Sequence, residues 1–556
     1  MGAGNSGELS IDATDSVKLI GTTTTLGINR GGLLATSGRA EFPNLTATGT
    51  AGNINLTTPE LTVSNKASID VQSLDLGNAG NITIDTDTVK LDRGLINTSV
   101  LGEGVGGNIK IHANDSVEVI GSGFDFLQRA FFPQGQPDVE SLGSSISDIE
   151  LSPVTEGIIA ITLGDANAGS IEIDTTNLQI SEGGLVATTT GGNGKAGSVF
   201  LNAAENLNMD SSIISSSTLF AGQGGDIDIK AKNMKALAGS QVTTSTLGSG
   251  NSGNLIINAS ESTTVAGATA SDIPSNIAAG AQPLSITTGN GGDLTITTSE
   301  LNIDNKGVVS VNSTGTGNAG TLSVNAEQIY LDNGGSIFAD TQSGGANIVL
   351  DADNIFWLGG SSTTARAEGT GNGGNIIIDA NNLVALEGSK LQADAFQGNG
   401  GNIQINTEGL FRCQTCQITA SSKLGLDGVV NIETLQPNNQ LEVLDIPTQP
   451  TQPQETVAVA CPGNAQASTS ELTITGRGGL PPRPQELLNS QSLVTFAQPN
   501  SSAQSSSNPQ TSQKSLLPAP ARSWYVDSQG TVVLSAQASD TSIDNSPQTT
   551  YDCRVK

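Results

Sequence analysis

The chain is short of the residues that most enzymes work with. Among 556 residues there is one histidine, His112, with four cysteines, three methionines and two tryptophans. Any Ser-His-Asp or Cys-His relay would therefore have to pass through His112 alone. That residue ends the segment Ile109-Lys-Ile111-His112 and reads as an exposed corner residue. Aromatic residues make up 3%, too few large side chains for a compact core in a chain of this length. No run of about 18 apolar residues occurs, so nothing is long enough to cross a bilayer as a helix. No segment sustains an apolar stripe at helical spacing, which leaves α-helix a minor element. Cations are scarce as well. Lys and Arg number 23 against 53 Asp and Glu, for a formal charge of -30. That balance argues against nucleic acid or an anionic membrane as partner, and a long solvated surface accounts for it. Phosphate loops are excluded because no glycine stretch carries a following Gly-Lys-Ser/Thr. Gly224-Gly225-Asp226-Ile227-Asp228 also lacks the spacing of the calcium-binding nonapeptide.

Glycine, in contrast, is abundant, with 68 residues, and it is periodic. Gly80-Asn81-Ile82-Thr-Ile84 returns as Gly107-Asn108-Ile109-Lys-Ile111, as Gly169-Ser170-Ile171-Glu-Ile173 and as Gly225-Asp226-Ile227-Asp-Ile229. Further copies run to Gly374-Asn375-Ile376 and Gly401-Asn402-Ile403. Gly52 to Gly80, Gly169 to Gly197 and Gly197 to Gly225 are each 28 residues apart, and Gly80 to Gly107 is 27. A period of this length marks one supersecondary unit stacked on its neighbours. A thin interior filled by Ile, Val, Leu and Ala needs few aromatics.

Within a unit, Ile82 and Ile84 point inward by period-two alternation, Asp85-Thr-Asp87 turns the chain, and Val89 and Leu91 form a second strand. Arg93-Gly94 turns again, Leu95–Val100 forms a third strand, and Gly102 to Gly107 closes the coil. The expected fold is all-β: a parallel β-helix of about fourteen coils with three short strands each, over residues 1–433. Asn81, Asn108, Asn254, Asn375 and Asn402 share one corner position. Stacked amides there would bond along the axis, with Asp226 and Asp293 interrupting the ladder. The preceding glycines would supply positive φ at a tight corner. The period lengthens in places, with insertions near 22–48, 122–163 and 268–288, each leaving at the same corner after Gly21, Gly121 and Gly267. The second insertion carries Phe124, Phe126, Phe131 and Phe132. These residues either pack that loop onto the rod's flank or form an exposed contact patch.

After residue 433 the pattern stops. Residues 434–470 read as a Pro/Gln/Thr-rich linker. Residues 471–556 read as a tail with small β elements, including a hairpin through Ser523–Val526, and a disordered Ser/Gln/Pro tract. The cysteines fall in two sets. Cys413 and Cys416 at the last coil suggest a local disulfide, and Cys461 with Cys553 suggests a second that ties the tail to the linker. Zinc would need two further ligands, which His112 is too distant to supply. No cofactor, metal or catalytic residue is assigned.

The glycine-rich array, together with Thr475-Gly476-Arg477-Gly478-Gly479-Leu480-Pro481-Pro482 in the tail, resembles the filamentous haemagglutinin-like exoproteins of two-partner secretion. The resemblance implies a right-handed β-helix, export through an outer-membrane β-barrel transporter, and an extracellular or surface adhesin binding surface glycans or cell-surface proteins. Such proteins carry an N-terminal secretion domain. Here Met1 leads straight into Gly2-Ala-Gly4-Asn-Ser-Gly7-Glu-Leu9, already the repeat's turn and strand, so the chain reads as the downstream portion. Two other functions fit the repeat. A polysaccharide lyase or hydrolase on a β-helix would place carboxylates in one groove. A calcium-ordered surface-layer protein would lose stability to a chelator.

Overall fold

The computed structural model describes residues 4–24, 27–29, 31–38, 47–122, 156–281, 288–434, 523–526 and 532–535. It divides into two units, Met1–Leu444 and Asp445–Lys556. In the second, Ser523–Val526 pairs antiparallel with Val532–Ser535. The cysteines at 461 and 553 lie outside the described residues, as does the rest of the expected linker and tail.

In the first unit every described element is a strand, and the strands stack as a β-solenoid of about 12 turns. Two parallel sheets run its length, one of 16 strands and one of 13. Register is residue on residue: Ile82 pairs with Ile109, and Ile109 with Ile171. Ile82, Ile109, Ile171 and Ile227 are all fully buried in one continuous core. The alternation of strand side chains explains this, since every turn sends its Ile, Val and Leu to the same side.

From Ile82 onward the first two strands expected in each coil are one strand, whereas the first two turns keep them apart, as Leu9–Asp12 with Ser16–Ile20 and Ile54–Thr57 with Glu60–Ser64. Ile82–Asp92 and Ile109–Ile120 run unbroken through the supposed Asp-Thr-Asp turn. The chain bends instead, with a register shift between Ala113 and Ser116. The inward residue at the bend is small, as at Ala113 and Ala203, or is threonine. Thr86 donates its hydroxyl to the Thr88 carbonyl at 3.1 Å, and Thr407 does the same to Gly409 at 3.1 Å. The tight bend thus buries no unpaired hydroxyl at those levels.

The second sheet holds the short strands, among them Leu95–Val100, Leu185–Thr190 and Ile213–Thr218. It also runs through the three expected insertions. Gly32–Ser37, Gly157–Thr162 and Asn276–Ala281 all belong to this sheet, so each inserted range contains its coil's regular strand.

Two corner expectations change. The glycine file does not exist for positive φ. A Cβ at Gly107 would sit 1.8 Å from the Gly80 carbonyl oxygen, and one at Gly197 would sit 1.7 Å from that of Gly169. Successive turns approach too closely there for any side chain. The Asn ladder bonds amide to amide only near its C-terminal end, where Asn375 Nδ2 donates to Asn347 Oδ1 at 3.1 Å and Asn402 Nδ2 to Asn375 Oδ1 at 3.2 Å; what runs along more of it is a backbone bond. Asn108 N–H donates to Asn81 Oδ1 at 2.8 Å, Ser170 N–H to Asn108 Oδ1 at 2.8 Å, and Asn254 N–H to Asp226 Oδ1 at 2.9 Å. Each turn's backbone donates to the preceding turn's side-chain oxygen. Any side chain carrying a well-placed oxygen serves, so Asp226 and Asp293 continue the ladder; Thr321 N–H donates to Asp293 at 2.8 Å.

Candidate functional site: a polar groove along the sheet bend

The bend of the first sheet leaves a groove of about 800 Å³ along the side of the solenoid. Its residues come in triplets, one per turn: Asn258-Ala259-Ser260, Thr297-Thr298-Ser299, Asn325-Ala326-Glu327, Asp351-Ala352-Asp353, Asp379-Ala380-Asn381 and Asn406-Thr407-Glu408. The local fold dictates this. The middle residue of each triplet turns inward and must be small, while its neighbours flank the bend on the outside.

Parallel pairing puts the first residues of the triplets in one column, from Asn258 through Thr297, Asn325, Asp351 and Asp379 to Asn406. At the roughly 4.8 Å spacing of paired strands, six turns give a groove about 24 Å long. Side chains on neighbouring turns are cross-linked. Asn325 Nδ2 donates to Asp351 at 3.3 Å, Asn381 Nδ2 to Asp353 at 3.0 Å, and Asn406 Nδ2 to Asp379 at 2.5 Å. Glu327, Asp351, Asp353, Asp379 and Glu408 give the groove negative charge, and neither cation nor aromatic ring lines it. It presents amides, hydroxyls and carboxylates over a floor of alanine and threonine.

His112 belongs to the same column farther along, between Asp85 and Asp174, and is exposed. Among the described residues no group of three His, Cys, Asp or Glu could hold a metal ion. Cys413 and Cys416 are disulfide-bonded, with Cα atoms 5.2 Å apart. They sit at a corner of the last turns, far along the chain from His112. Phe124, Phe126, Phe131 and Phe132 lie outside the described residues.

None of the ion pairs found among the described residues uses a residue that lines the groove, although Lys232 and Glu261, which pair at 3.4 Å, directly follow the lining residues Ala231 and Ser260. Lys90 Nζ lies 2.7 Å from Glu118, and this hydrogen bond raises the lysine's pKa. Arg366 Nη2 donates to Asp340 Oδ2 at 2.9 Å, which raises the guanidinium's pKa.

Sequence reasoning singled out Asp85, in the column of His112, only as a corner residue. The signal that would have found the groove is the recurring polar–small–polar triplet, placed just after the second inward residue of each unit. The fold and groove define a parallel β-solenoid with a polar channel along its bend. Comparison with family models, with curated proteins and with solved structures finds no match for this chain.

Proposed function

We propose that the chain is a non-catalytic, secreted or surface-exposed rod, an adhesin of the filamentous haemagglutinin type, whose contact surface is the groove along the bend. The reading includes a right-handed coil and passage through an outer-membrane β-barrel during export, both of which rest on the resemblance in the repeat and the tail. The observation that carries the contact role is the groove itself. Six successive turns present hydrogen-bonding side chains in one column, at even spacing, with no cation among them.

That chemistry suits an extended, uncharged or amino-bearing glycan, whose repeated hydroxyls or ammonium groups would meet repeated acceptors. It disfavours a polyuronate or sulfated chain, because like charges would face one another. The carboxylates Asp351, Asp353 and Asp379 accept hydrogen bonds from amides on adjacent turns, an arrangement suited to holding a ligand along the axis.

The test is binding of the full chain to immobilised neutral, amino and uronic polysaccharides. Neutral or amino polymers should be retained, and Asp351→Lys with Asp353→Lys should abolish retention. Equal retention by the doubly substituted chain, or preference for polyuronates, would reject the groove as contact surface. A second reading, glycoside cleavage, gains from the same five carboxylates in one groove. It requires new reducing ends to appear on incubation with a retained polymer, and their appearance would replace the adhesin reading.

A further inference from the structure

Several middle strands of the second sheet are buried on both faces. Along Leu95–Val100, Leu185–Thr190 and Ile213–Thr218 every residue is buried. One face is the solenoid core, which takes Ile96, Ile158, Val186 and Ile214. Alternation sends their neighbours to the opposite, outer face. There Leu95, Ile159, Leu185, Ala187 and Ile213 form a separate apolar cluster, each at most 2% exposed, with Ile161 against it.

This outer face is apolar only locally. Its other outward positions carry Asp70 and Gln72 on one side, and Ser215, Ser217, Thr243 and Ser245 on the other, Ser215 and Ser217 sharing a strand with Ile213. The polar members bond to one another within the sheet. Asn97 donates to Asp70 at 2.8 Å, and the hydroxyls of Ser217 and Ser245 are 2.9 Å apart. Most of these polar groups are therefore satisfied under a dry layer, although Ser68 Oγ and Asn312 Oδ1 on the same face are buried without a hydrogen-bond partner. All the long sheets among the described residues belong to the solenoid wall itself.

The apolar levels coincide with the place where residues 123–155 leave and rejoin the wall. Ser122 Oγ lies 2.6 Å from a Glu156 carboxylate oxygen, so the two ends of that segment meet. Gly157 then opens the strand that contains Ile159 and Ile161. The segment holds Phe124, Phe126, Leu127, Phe131 and Phe132, an aromatic density found nowhere else in a chain with few aromatics.

We propose that the occupant of the outer face is this segment of the same chain, with its phenylalanines seated on Leu95, Ile159, Ile161, Leu185 and Ile213. The match of apolar positions on the wall to the one aromatic insertion, at the levels it joins, favours it over a second copy or the C-terminal unit. The phenylalanines are then part of the rod's flank, and the groove is left as its contact surface.

The test uses the full chain with a photo-crosslinking phenylalanine analogue at 126 or at 131. Crosslinks should map by mass spectrometry to peptides spanning Gly157–Thr162 or Leu185–Thr190 within one molecule. Crosslinks to a second copy, to residues beyond 445, or to none of these peptides would overturn the proposal. Independently, replacing residues 123–155 by a short Gly-Ser link should raise binding of a hydrophobic dye several-fold. Adding Ile159→Ser and Ile161→Ser to that variant should reverse the rise. Unchanged dye binding in a folded deletion variant would also refute it.

Discussion

The corner ladder yields the sharpest prediction, because two physical pictures of it give opposite answers for one substitution. Asn108 accepts the Ser170 N–H at 2.8 Å through Oδ1 and donates its own backbone N–H to Asn81 Oδ1 at 2.8 Å. If stacked amides bonded side chain to side chain, Asn108→Asp and Asn108→Ala would be similarly damaging. In the acceptor ladder, Asn108→Asp keeps the oxygen that Ser170 needs, while Asn108→Ala removes it. One hydrogen bond at an exposed corner contributes about 0.5–1.5 kcal/mol net. Since 1.4 kcal/mol is about tenfold in an equilibrium constant, the Ser170 amide should exchange with solvent roughly two- to tenfold faster in Asn108→Ala. It should be within about twofold of the parent in Asn108→Asp. Hydrogen exchange read at single amides is the right assay, since a repeat array opens locally and a global midpoint would dilute the effect. Equal acceleration by both substitutions would refute the ladder as described. So would acceleration by neither.

Ile229 is fully buried in the continuous core, and Ile229→Ala should cost about 2–5 kcal/mol, read as lost protection in its own and adjacent turns. Gly107→Ala should be far more disruptive than a glycine-to-alanine change in an open turn, because the new Cβ would fall 1.8 Å from the Gly80 carbonyl oxygen; a chain that melts within a degree of the parent would contradict the close approach. Lys90 has its pKa raised by the hydrogen bond to Glu118, so its contribution is full below the ordinary lysine value of 10.5 and is lost as pH rises through the higher folded value. The pair is exposed and worth at most about 1 kcal/mol, so Lys90→Met should matter little at neutral pH in high salt and not at all in strong alkali, as followed by thermal melts. Cys413→Ser with Cys416→Ser should loosen only the last turns, seen as faster exchange over Val430–Thr434 with the central turns unchanged.

The fold was legible because it repeats. One unit, residues 80 to 107, fixes the period, the inward file and the second-sheet strand of the turns that keep its spacing, even with its first turn misplaced. Gly157–Thr162 and Asn276–Ala281 escaped only because insertions displaced them from the expected spacing, although their sequences carry the same pattern. The Asp-Thr-Asp stretch misled for a physical reason. Aspartate marks turns because its side chain competes for backbone groups, but Asp85 is paired with Thr57 on one side and His112 on the other, and Thr86 with Ala113, which keeps the stretch in the strand. The roles of glycine and asparagine turned on distances between turns, which a one-dimensional reading does not contain. A glycine kept for contact with the turn below looks the same in sequence as one kept for its dihedral angle. The groove was hidden likewise. Its carboxylates are scattered from Glu327 to Glu408 along the chain, and only in-register stacking brings them into one channel.

Spin labels on one outward column measure that stacking directly. Lys110, Glu172, Phe200, Asp228, Ile256, Thr295, Ser323, Val349, Ile377 and Gln404 occupy equivalent positions on successive turns. Distances between labels at Lys110 and Thr295, and at Lys110 and Gln404, should be about 24 Å and about 43 Å, five and nine steps at the roughly 4.8 Å strand spacing. They should track the number of turns and ignore the extra residues between Lys110 and Glu172. Distances that scale with sequence separation, or that show no common increment per turn, would contradict a single stacked solenoid.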